Sequence, residues 1–418
     1  MYSRAGQRKK TPLELFTDLH HATEGPMMSH TGEQYVLTFL LMFAIGIGVP
    51  ISPLLATKLG ATWVEIGLMG SAWGLIFTFS AFLTGRVSDK LGRKPLLAVS
   101  SGLSALSALL FLQASSVSQL IAIRGLEGLA WACFWPTMEA LATETAEADK
   151  MGRSIGLVTT AYAVAFLTGS FVGGYVASFF GFEFAFATYF VFASLSVIAV
   201  WFVRVPDHVE VLRPIPLREL MSRLLSRTVV AGNVLGGFYT FGLGTIMALL
   251  SVYAAGLGIP VFWIGAVFSL FWAGRIVGAA LAGGASDRLG RSRVAQLALI
   301  IGCLGLLMVG LASDLSVLSV GVLLAGLSIG AVFPVNVAII AGGIEPELRG
   351  AAMGFYEMMC AIGFMIASAL GGVLAESMSP GTPYVLSAFV FLSCAVVLSI
   401  LLPHRSQKII RNSDPMSH

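Results

Sequence analysis

The sequence predicts an all-α membrane protein whose twelve transmembrane helices form two pseudo-symmetric six-helix bundles. Of its 418 residues, 56% are hydrophobic and only 11% are charged, whereas soluble domains carry roughly 25% charged residues. A ten-residue segment also occurs twice, as GRVSDKLGRK from Gly85 and as GGASDRLGRS from Gly283. The composition therefore excludes an ordinary soluble globule, and the repeat indicates two copies of one multi-helix unit.

One constant offset relates the two copies over most of the chain. The offset is 198 residues, the difference between positions 89 and 287. It relates Asp89 to Asp287, Gly67 to Gly265, Pro136 to Pro334, and Gly173–Gly174 to Gly371–Gly372. Two packed membrane halves with a seam between them are the usual design of a secondary transporter, so the repeat predicts this architecture.

Twelve apolar stretches are long enough to cross a hydrocarbon core of about 30 Å. In chain order, we place them at 34–56, 63–85, 95–114, 118–141, 154–178, 184–203, 229–254, 262–284, 294–312, 316–341, 350–375 and 383–402. The predicted domains are a tail at 1–33, a six-helix bundle at 34–203, a central loop at 204–228, a six-helix bundle at 229–402 and a tail at 403–418.

The basic residues indicate how the chain lies in the membrane. With a cytoplasmic N-terminus, the loops on the cytoplasmic side, the central loop and both tails hold nearly all of the lysines and arginines. The loops on the opposite side hold only Lys58. We therefore expect a multi-pass protein of the cell (plasma) membrane with both termini in the cytoplasm.

The histidines and cysteines give no sign of metal or catalytic chemistry. All six histidines fall in the predicted tails or central loop, and the four cysteines fall in helices without metal-ligand spacing. The helices hold no nucleophile–base constellation, and the chain has no G-x-x-x-x-G-K-[ST] loop. We expect no metal, no cofactor and no catalytic residues, and we predict that the chain is not an enzyme.

The repeated segment carries a family resemblance. Its first copy supplies Gly85, Asp89, Lys90, Gly92, Arg93 and Lys94. Its second copy supplies Gly283, Asp287, Arg288, Gly290 and Arg291, with Ser292 at the last position. These residues match the pattern G-x-x-x-D-[RK]-x-G-[RK]-[RK], and on this basis the chain resembles the major facilitator superfamily over essentially its whole length. The resemblance implies two six-helix bundles that rock about a central cavity.

The residue types of this motif suit a gate at the cytoplasmic rim. Gly85 and Gly283 permit a close helix contact, and Gly92 and Gly290 permit a tight turn. Asp89 can pair with neighbouring bases, and ion pairs that form in only one conformation bias a two-state equilibrium. By resemblance, the motif helps to hold the outward-facing state closed on the cytoplasmic side. The alternative is that its bases only set the topology.

Two further patterns resemble the same family. In helix 4, Leu120, Arg124, Glu127 and Gly128 match L-x-x-x-R-x-x-Q-G with Glu127 in place of glutamine, and the family links this arginine to proton transfer. Helix 5 resembles the packing motif of the drug:proton antiporter branch, with serine in place of its proline, and helix 11 repeats it. The residues concerned are Gly169, Ser170, Gly173, Gly174, Ser368, Gly371 and Gly372.

Four charged residues fall well inside the predicted helices, namely Arg124, Glu127, Arg275 and Glu357. Burying each costs about 2.5–3.5 kcal/mol on insertion scales, so each is expected to face a cavity or a partner. None has a charged counterpart at the repeat offset. They are therefore our candidates for substrate binding and proton coupling, together with Trp131 on the helix face that Arg124 and Glu127 share.

Each of these charges has more than one possible role. Arg124 and Glu127 form either a protonation switch or a purely structural ion pair. Arg275 either binds an anionic substrate or pairs with Glu357. Glu357 accepts a proton, neutralises a cationic substrate or serves as the partner of Arg275.

The favoured function is secondary active transport by alternating access, as proton-coupled efflux of a small amphipathic compound. The proton gradient drives it, and the expected partners are the lipid bilayer, the substrate and protons, without nucleic acid; by family resemblance a monomer suffices. The first alternative is a proton symporter that imports a small metabolite such as an organic anion or a sugar. The second is a membrane sensor that has this fold and transports nothing.

Overall fold

The computed structural model describes residues 30–145, 151–205, 222–345 and 348–402. Twelve long helices lie in these ranges, and we number them in chain order. The first six are α1 (His30–Lys58), α2 (Trp63–Leu91), α3 (Arg93–Gln113), α4 (Val117–Glu144), α5 (Met151–Phe180) and α6 (Phe182–Val200). The second six are α7 (Arg227–Gly256), α8 (Val261–Leu289), α9 (Arg291–Gly310), α10 (Leu315–Gly342), α11 (Arg349–Ser377) and α12 (Thr382–Leu401). The all-helical prediction is thereby confirmed.

The helix bounds repeat at the offset that the sequence motif shows. The bounds of α2, Trp63–Leu91, correspond at this offset to those of α8, Val261–Leu289. Each other helix of the second six begins within two residues of the position 198 residues after the start of its counterpart. The packing repeats as well. The contacts of α1 with α5 and α6, and of α4 with α2 and α3, recur as contacts of α7 with α11 and α12, and of α10 with α8 and α9. Two copies of one helix arrangement therefore build the molecule.

Eleven of the twelve helices are long and apolar enough to cross a membrane. The exception is α4, which holds Arg124, Glu127 and Glu139. This helix packs between α2 and α3, which donate to its carbonyls: the Thr84 hydroxyl bonds the Ala132 oxygen at 2.8 Å, and the Ser100 hydroxyl bonds the Ala130 oxygen at 2.7 Å. Protein contacts thus surround a helix that lipid alone would not favour.

Two equivalent glycines make the turns of the repeated motif. Gly92 lies between α2 and α3 with φ of 87°, and Gly290 lies between α8 and α9 with φ of 89°. Side chains disfavour this region of φ, so glycine is the residue that lets two long helices meet without a loop. We call this end of the bundle the motif side, and the end where α1 meets α2 the opposite side.

The two halves meet through pairs of glycines near the opposite side. A Cβ atom added to Gly67 of α2 would lie 3.0 Å from the Cα of Gly372 in α11. A Cβ atom added to Gly174 of α5 would lie 2.7 Å from the Cα of Gly265 in α8. These two contacts are equivalent under the repeat offset. Backbones therefore touch on both sides of the seam, and the molecule is closed toward the opposite side.

Several sequence predictions lie outside the described residues. These are the tails at 1–29 and 403–418, most of the central loop, and the surroundings of the motif residues Gly85, Asp89 and Lys90, including the side chains of the last two. The backbone of α2 continues through the three motif positions.

Candidate functional site: the central cavity

A cavity of about 140 Å³ lies between the two halves at mid-bundle, on the motif side of the glycine contacts that close the seam. Helices from both halves supply its walls, including α2, α4 and α5 from the first and α7, α8 and α11 from the second. Four of the five predicted binding and coupling residues line it, namely Arg124, Trp131, Arg275 and Glu357. The fifth, Glu127, is buried within the first half.

Aromatic rings form most of the wall. Trp73 of α2 lies 4.9 Å from Phe364 of α11 between ring centroids, and Tyr162 of α5 lies 5.1 Å from Trp272 of α8. Both pairs bridge the seam. Trp131 stands edge-on to Trp73 at 5.8 Å, so the ring faces surround the cavity and offer an apolar surface to a planar molecule.

Arg275 lies at the midpoint of α8, and its guanidinium group packs against the faces of three aromatic rings. Its guanidinium carbon lies 4.9 Å from the ring centroid of Trp272, 5.4 Å from that of Tyr162 and 6.0 Å from that of Phe333. These are cation–π distances. Within the described chain, the buried Nη1 atom of Arg275 has no hydrogen-bond partner. One donor of this cation is therefore free.

Glu357 lines the same cavity from α11, about two turns from the start of that helix. Arg275 and Glu357 interact electrostatically, but among the described ion pairs, for which the limit is 4.0 Å, they do not form one. Direct pairing of these residues, one of the two alternatives for Arg275, is thus not present in this conformation. Glu139 of α4 adds a second carboxyl group close enough to interact with Glu357, and two carboxyl groups therefore approach the seam from opposite halves.

Arg124 and Glu127 form the ion pair that their spacing favours, on one face of α4. The second carboxylate oxygen of Glu127 accepts a hydrogen bond from the Tyr189 hydroxyl of α6 at 2.8 Å. Glu127 is 5% exposed, and both of its oxygens have partners. The arrangement therefore fits the structural alternative better than the protonation switch, while Arg124 still reaches the cavity wall.

The basic residues of the repeated motif attach the turns to neighbouring helix ends. Arg93 pairs with Glu144 at the end of α4, with Nη2 and Oε1 2.6 Å apart. Its equivalent, Arg291, donates from Nη1 to the Ala338 oxygen of α10 at 2.8 Å. Lys94 donates to the Trp201 oxygen at 2.7 Å. All of these contacts stay within one half.

The second copy of the motif is open on the motif side. Asp287 and Arg288 are exposed, and a Cβ atom added to Gly283 would meet nothing within 4 Å. The gating contact that the resemblance implies is therefore not formed in the described part of this conformation, which is closed at the other end.

The glycine-rich residues of α5 and α11 divide their contacts between the halves. Gly169 and Gly173 pack against the backbone of α1, and Gly371 packs against Leu249 of α7. Gly174 and Gly372 face the seam, as described above. Ser170 donates to the Gly46 oxygen at 3.3 Å, and Ser368 donates to the Phe364 oxygen at 2.9 Å. Each helix therefore presents one small residue to its own half and the next to the other half.

Sequence reasoning missed three features of the site. It did not include Glu139 among the candidates, although this residue reaches the vicinity of Glu357. It did not single out Trp73, whose ring faces both Trp131 and Phe364. It also left out Tyr189 as the second partner of Glu127. The 198-residue offset offered one signal for Trp73, because the equivalent position in the second half is also aromatic, Phe271.

The sequence profile described as Major Facilitator Superfamily matches residues 35–273 and 232–415. The chain belongs to this superfamily. It is a multi-pass membrane transporter, and the family resemblance of its motifs is confirmed.

Several curated relatives share this architecture. The MFS-type transporter YuxJ of Bacillus subtilis is 28% identical over 367 residues, covering 82% of this chain and 90% of that protein. The staphyloferrin B transporter of Staphylococcus aureus is 25% identical over 396 residues, covering 89% and 94%. The multi-drug resistance efflux pump PmrA of Streptococcus pneumoniae is 26% identical over 312 residues, covering 71% and 76%.

Solved structures share the fold at low sequence identity. A point mutant of the nucleoside transporter NupG aligns with a TM-score of 0.73 at 14% identity, covering 89% of this chain and 100% of that one. The human organic anion transporter MFSD10 aligns with a TM-score of 0.67 at 18% identity, covering 90% and 100%. These similarities establish the fold of this chain.

Proposed function

We propose that this transporter exports a small amphipathic compound in exchange for protons. The observation that carries the proposal is the Glu357 carboxylate, which lines the cavity without an ion-pair partner among the described residues. A carboxylate in this position can bind either a proton or a cationic group of the substrate, but not both at once. Competition for one site is the simplest way to couple the two fluxes.

Orientation and relatives support export. If the positive-inside rule holds for this chain, the motif side is cytoplasmic and the cavity lies toward the cytoplasm, with the seam closed to the exterior. The two bundles at 34–203 and 229–402 are then the rocking units. Efflux pumps stand among the relatives.

The energy of the proton gradient is sufficient for this task. One proton that enters down a membrane potential of 100 mV supplies about 2.3 kcal/mol, and each pH unit adds about 1.4 kcal/mol. Together these terms sustain a gradient of several hundred-fold for a neutral substrate. The proposed transporter therefore needs no cofactor.

The test is proton movement in proteoliposomes with an acid lumen, on addition of lipophilic cations or organic anions outside. We expect a cation to release protons in the wild type but not in Glu357→Gln. Glu183→Gln, a change at an exposed glutamate of α6, should behave as wild type. If Glu357→Gln retains full proton release, the proposed role of Glu357 is wrong.

Import of an organic anion with a proton is the second candidate. The free Nη1 donor of Arg275 favours it, because an anion would complete the hydrogen bonds of this cation. In the same vesicles, proton uptake that accompanies an added anion and is lost in Arg275→Gln would support import over export.

A further inference from the structure

Arg275 and Glu357 give the cavity two opposite charges that do not neutralise each other by direct pairing. Both residues line the cavity, and in the described structure they are not an ion pair within the 4.0 Å limit. An unpaired charge in a poorly hydrated site is unfavourable unless a partner of opposite sign arrives. Each of the two residues thus specifies a group of its own on the ligand.

Arg275 specifies a planar anionic group. Its guanidinium is held between ring faces by three cation–π contacts, which fix its orientation. Its buried Nη1 atom has no partner in the described chain. Guanidinium groups bind carboxylates through two parallel hydrogen bonds, so a carboxylate suits this donor.

Glu357 specifies a basic group. It reaches the cavity from α11, whereas Arg275 reaches it from α8 of the same half, and Glu139 of α4 lies close enough to interact with it. An ammonium group can pair with the Glu357 carboxylate. A second anion would be repelled by it.

The wall between these charges suits a flat apolar body. Trp73 and Phe364 bridge the seam on one side, and Tyr162 and Trp272 bridge it on the other. Aromatic ligands stack on such faces at ring separations of about 4.5–7 Å.

We propose that the cavity binds zwitterionic aromatic compounds, with the anionic group at Arg275 and the basic group at Glu357. This inference rests on the proposed function, since it identifies the class of compound that is exchanged for protons. A simple cation would leave the Arg275 donor unsatisfied, and a simple anion would leave Glu357 with only a proton to bind. A molecule with both charges gives each residue a partner of opposite sign.

The test uses three probes that share one ring. These are 4-(aminomethyl)benzoate with both charges, 4-(aminomethyl)benzamide with only the positive charge, and 4-(acetamidomethyl)benzoate with only the negative charge. Binding to the full-length protein in detergent is measured by isothermal titration calorimetry, without any gradient. We expect the zwitterion to bind about tenfold to a hundredfold more tightly than either relative, because each lost charge removes a charge-assisted hydrogen bond.

Three variants assign the charges to their residues. Arg275→Gln should weaken the zwitterion and the anion but not the cation, and Arg275→Lys should recover part of the loss. Glu357→Gln should weaken the zwitterion and the cation but not the anion. Arg349→Gln and Glu183→Gln, at exposed sites outside the cavity, are the charge-matched controls.

Three results would overturn the proposal: equal affinity for all three probes, no binding of the zwitterion at millimolar concentration, or a loss in Arg275→Gln or Glu357→Gln that is the same for the cation and the anion. The readout is independent of proton coupling. Preferred binding of the zwitterion without proton movement in vesicles would refute only the proposed function. Proton-coupled export of a cation without any preference for the zwitterion would refute only this inference.

Discussion

Ser71 and Ser269 stand 198 residues apart and make the same hydrogen bond across the seam in opposite directions. The Ser71 hydroxyl of α2 donates to the Met365 oxygen of α11 at 3.0 Å, and the Ser269 hydroxyl of α8 donates to the Leu167 oxygen of α5 at 2.7 Å. The two acceptors are themselves related by the offset. The same interhelical hydrogen bond therefore occurs at two equivalent places in the seam, next to the glycine pairs that close the opposite side.

Removal of both serine bonds should favour opening of this seam. Interhelical hydrogen bonds in membranes contribute about 0.6 kcal/mol each, so Ser71→Ala with Ser269→Ala should shift the conformational equilibrium roughly sevenfold. Hydrogen–deuterium exchange of α2 and α11 should rise near Gly67 and Gly372. Ser393→Ala, which removes a bond within α12 alone, should leave this exchange unchanged. Unaltered exchange in the double variant would show that the glycines alone hold the seam.

A methyl group at Gly67 or Gly174 should block closure of the seam. In the closed state, the added Cβ atom of Gly67→Ala would lie 2.5 Å from the Ser368 oxygen, which is shorter than contact distance. We expect transport in proteoliposomes to fall severalfold while the protein stays folded. Gly102→Ala, whose Cβ atom meets nothing within 4 Å, is the control. Wild-type transport by Gly67→Ala would contradict this prediction.

Loss of Glu127 should cost stability. Glu127→Gln leaves Arg124 without its ion-pair partner, and breaking a buried ion pair on one side costs about 3–5 kcal/mol. Tyr189→Phe removes one hydrogen bond and should cost about 1 kcal/mol. Melting temperatures in detergent should rank wild type above Tyr189→Phe, and Tyr189→Phe above Glu127→Gln. A fully stable Glu127→Gln that fails to couple protons would restore the switch interpretation.

The Arg93–Glu144 pair should couple α3 to α4 more strongly than an exposed pair couples its segments. The side chains of Arg93 and Glu144 are 7% and 21% exposed, whereas those of Arg223 and Glu345 are 52% and 45% exposed. Double-mutant cycles for unfolding should give up to about 3 kcal/mol for the first pair. They should give about 0–1 kcal/mol for the second. Equal coupling energies would show that burial does not strengthen the first pair.

The fold was predictable because it depends on patterns that run along the chain. Long apolar stretches predicted the helices, and one constant offset predicted that the second six would repeat the first. The bounds differ by several residues, since α1 begins at His30 and not at 34. Hydropathy does not register a helix that continues beyond the apolar core.

The site was only partly predictable, because its key relationships join different helices. Intramembrane charge drew attention to Arg275 and Glu357, which both line the cavity. No spacing along the chain could show that they face one cavity without pairing. Glu139 was missed because it lies near the predicted end of its helix. Ser71 and Ser269 were missed because a serine in a helix commonly bonds the carbonyl four residues back, as both also do here.

The low hydropathy of α4 has a consequence for biogenesis. Helices are tested for membrane entry as synthesis proceeds, and a charged helix enters poorly by itself. Its first partners, α2 and α3, precede it in the chain, but Tyr189 of α6 is made later. A nascent chain that stops before α6 therefore holds Glu127 with one of its two partners. The completed first bundle, rather than α4 by itself, is therefore the smallest unit in which Glu127 has both partners.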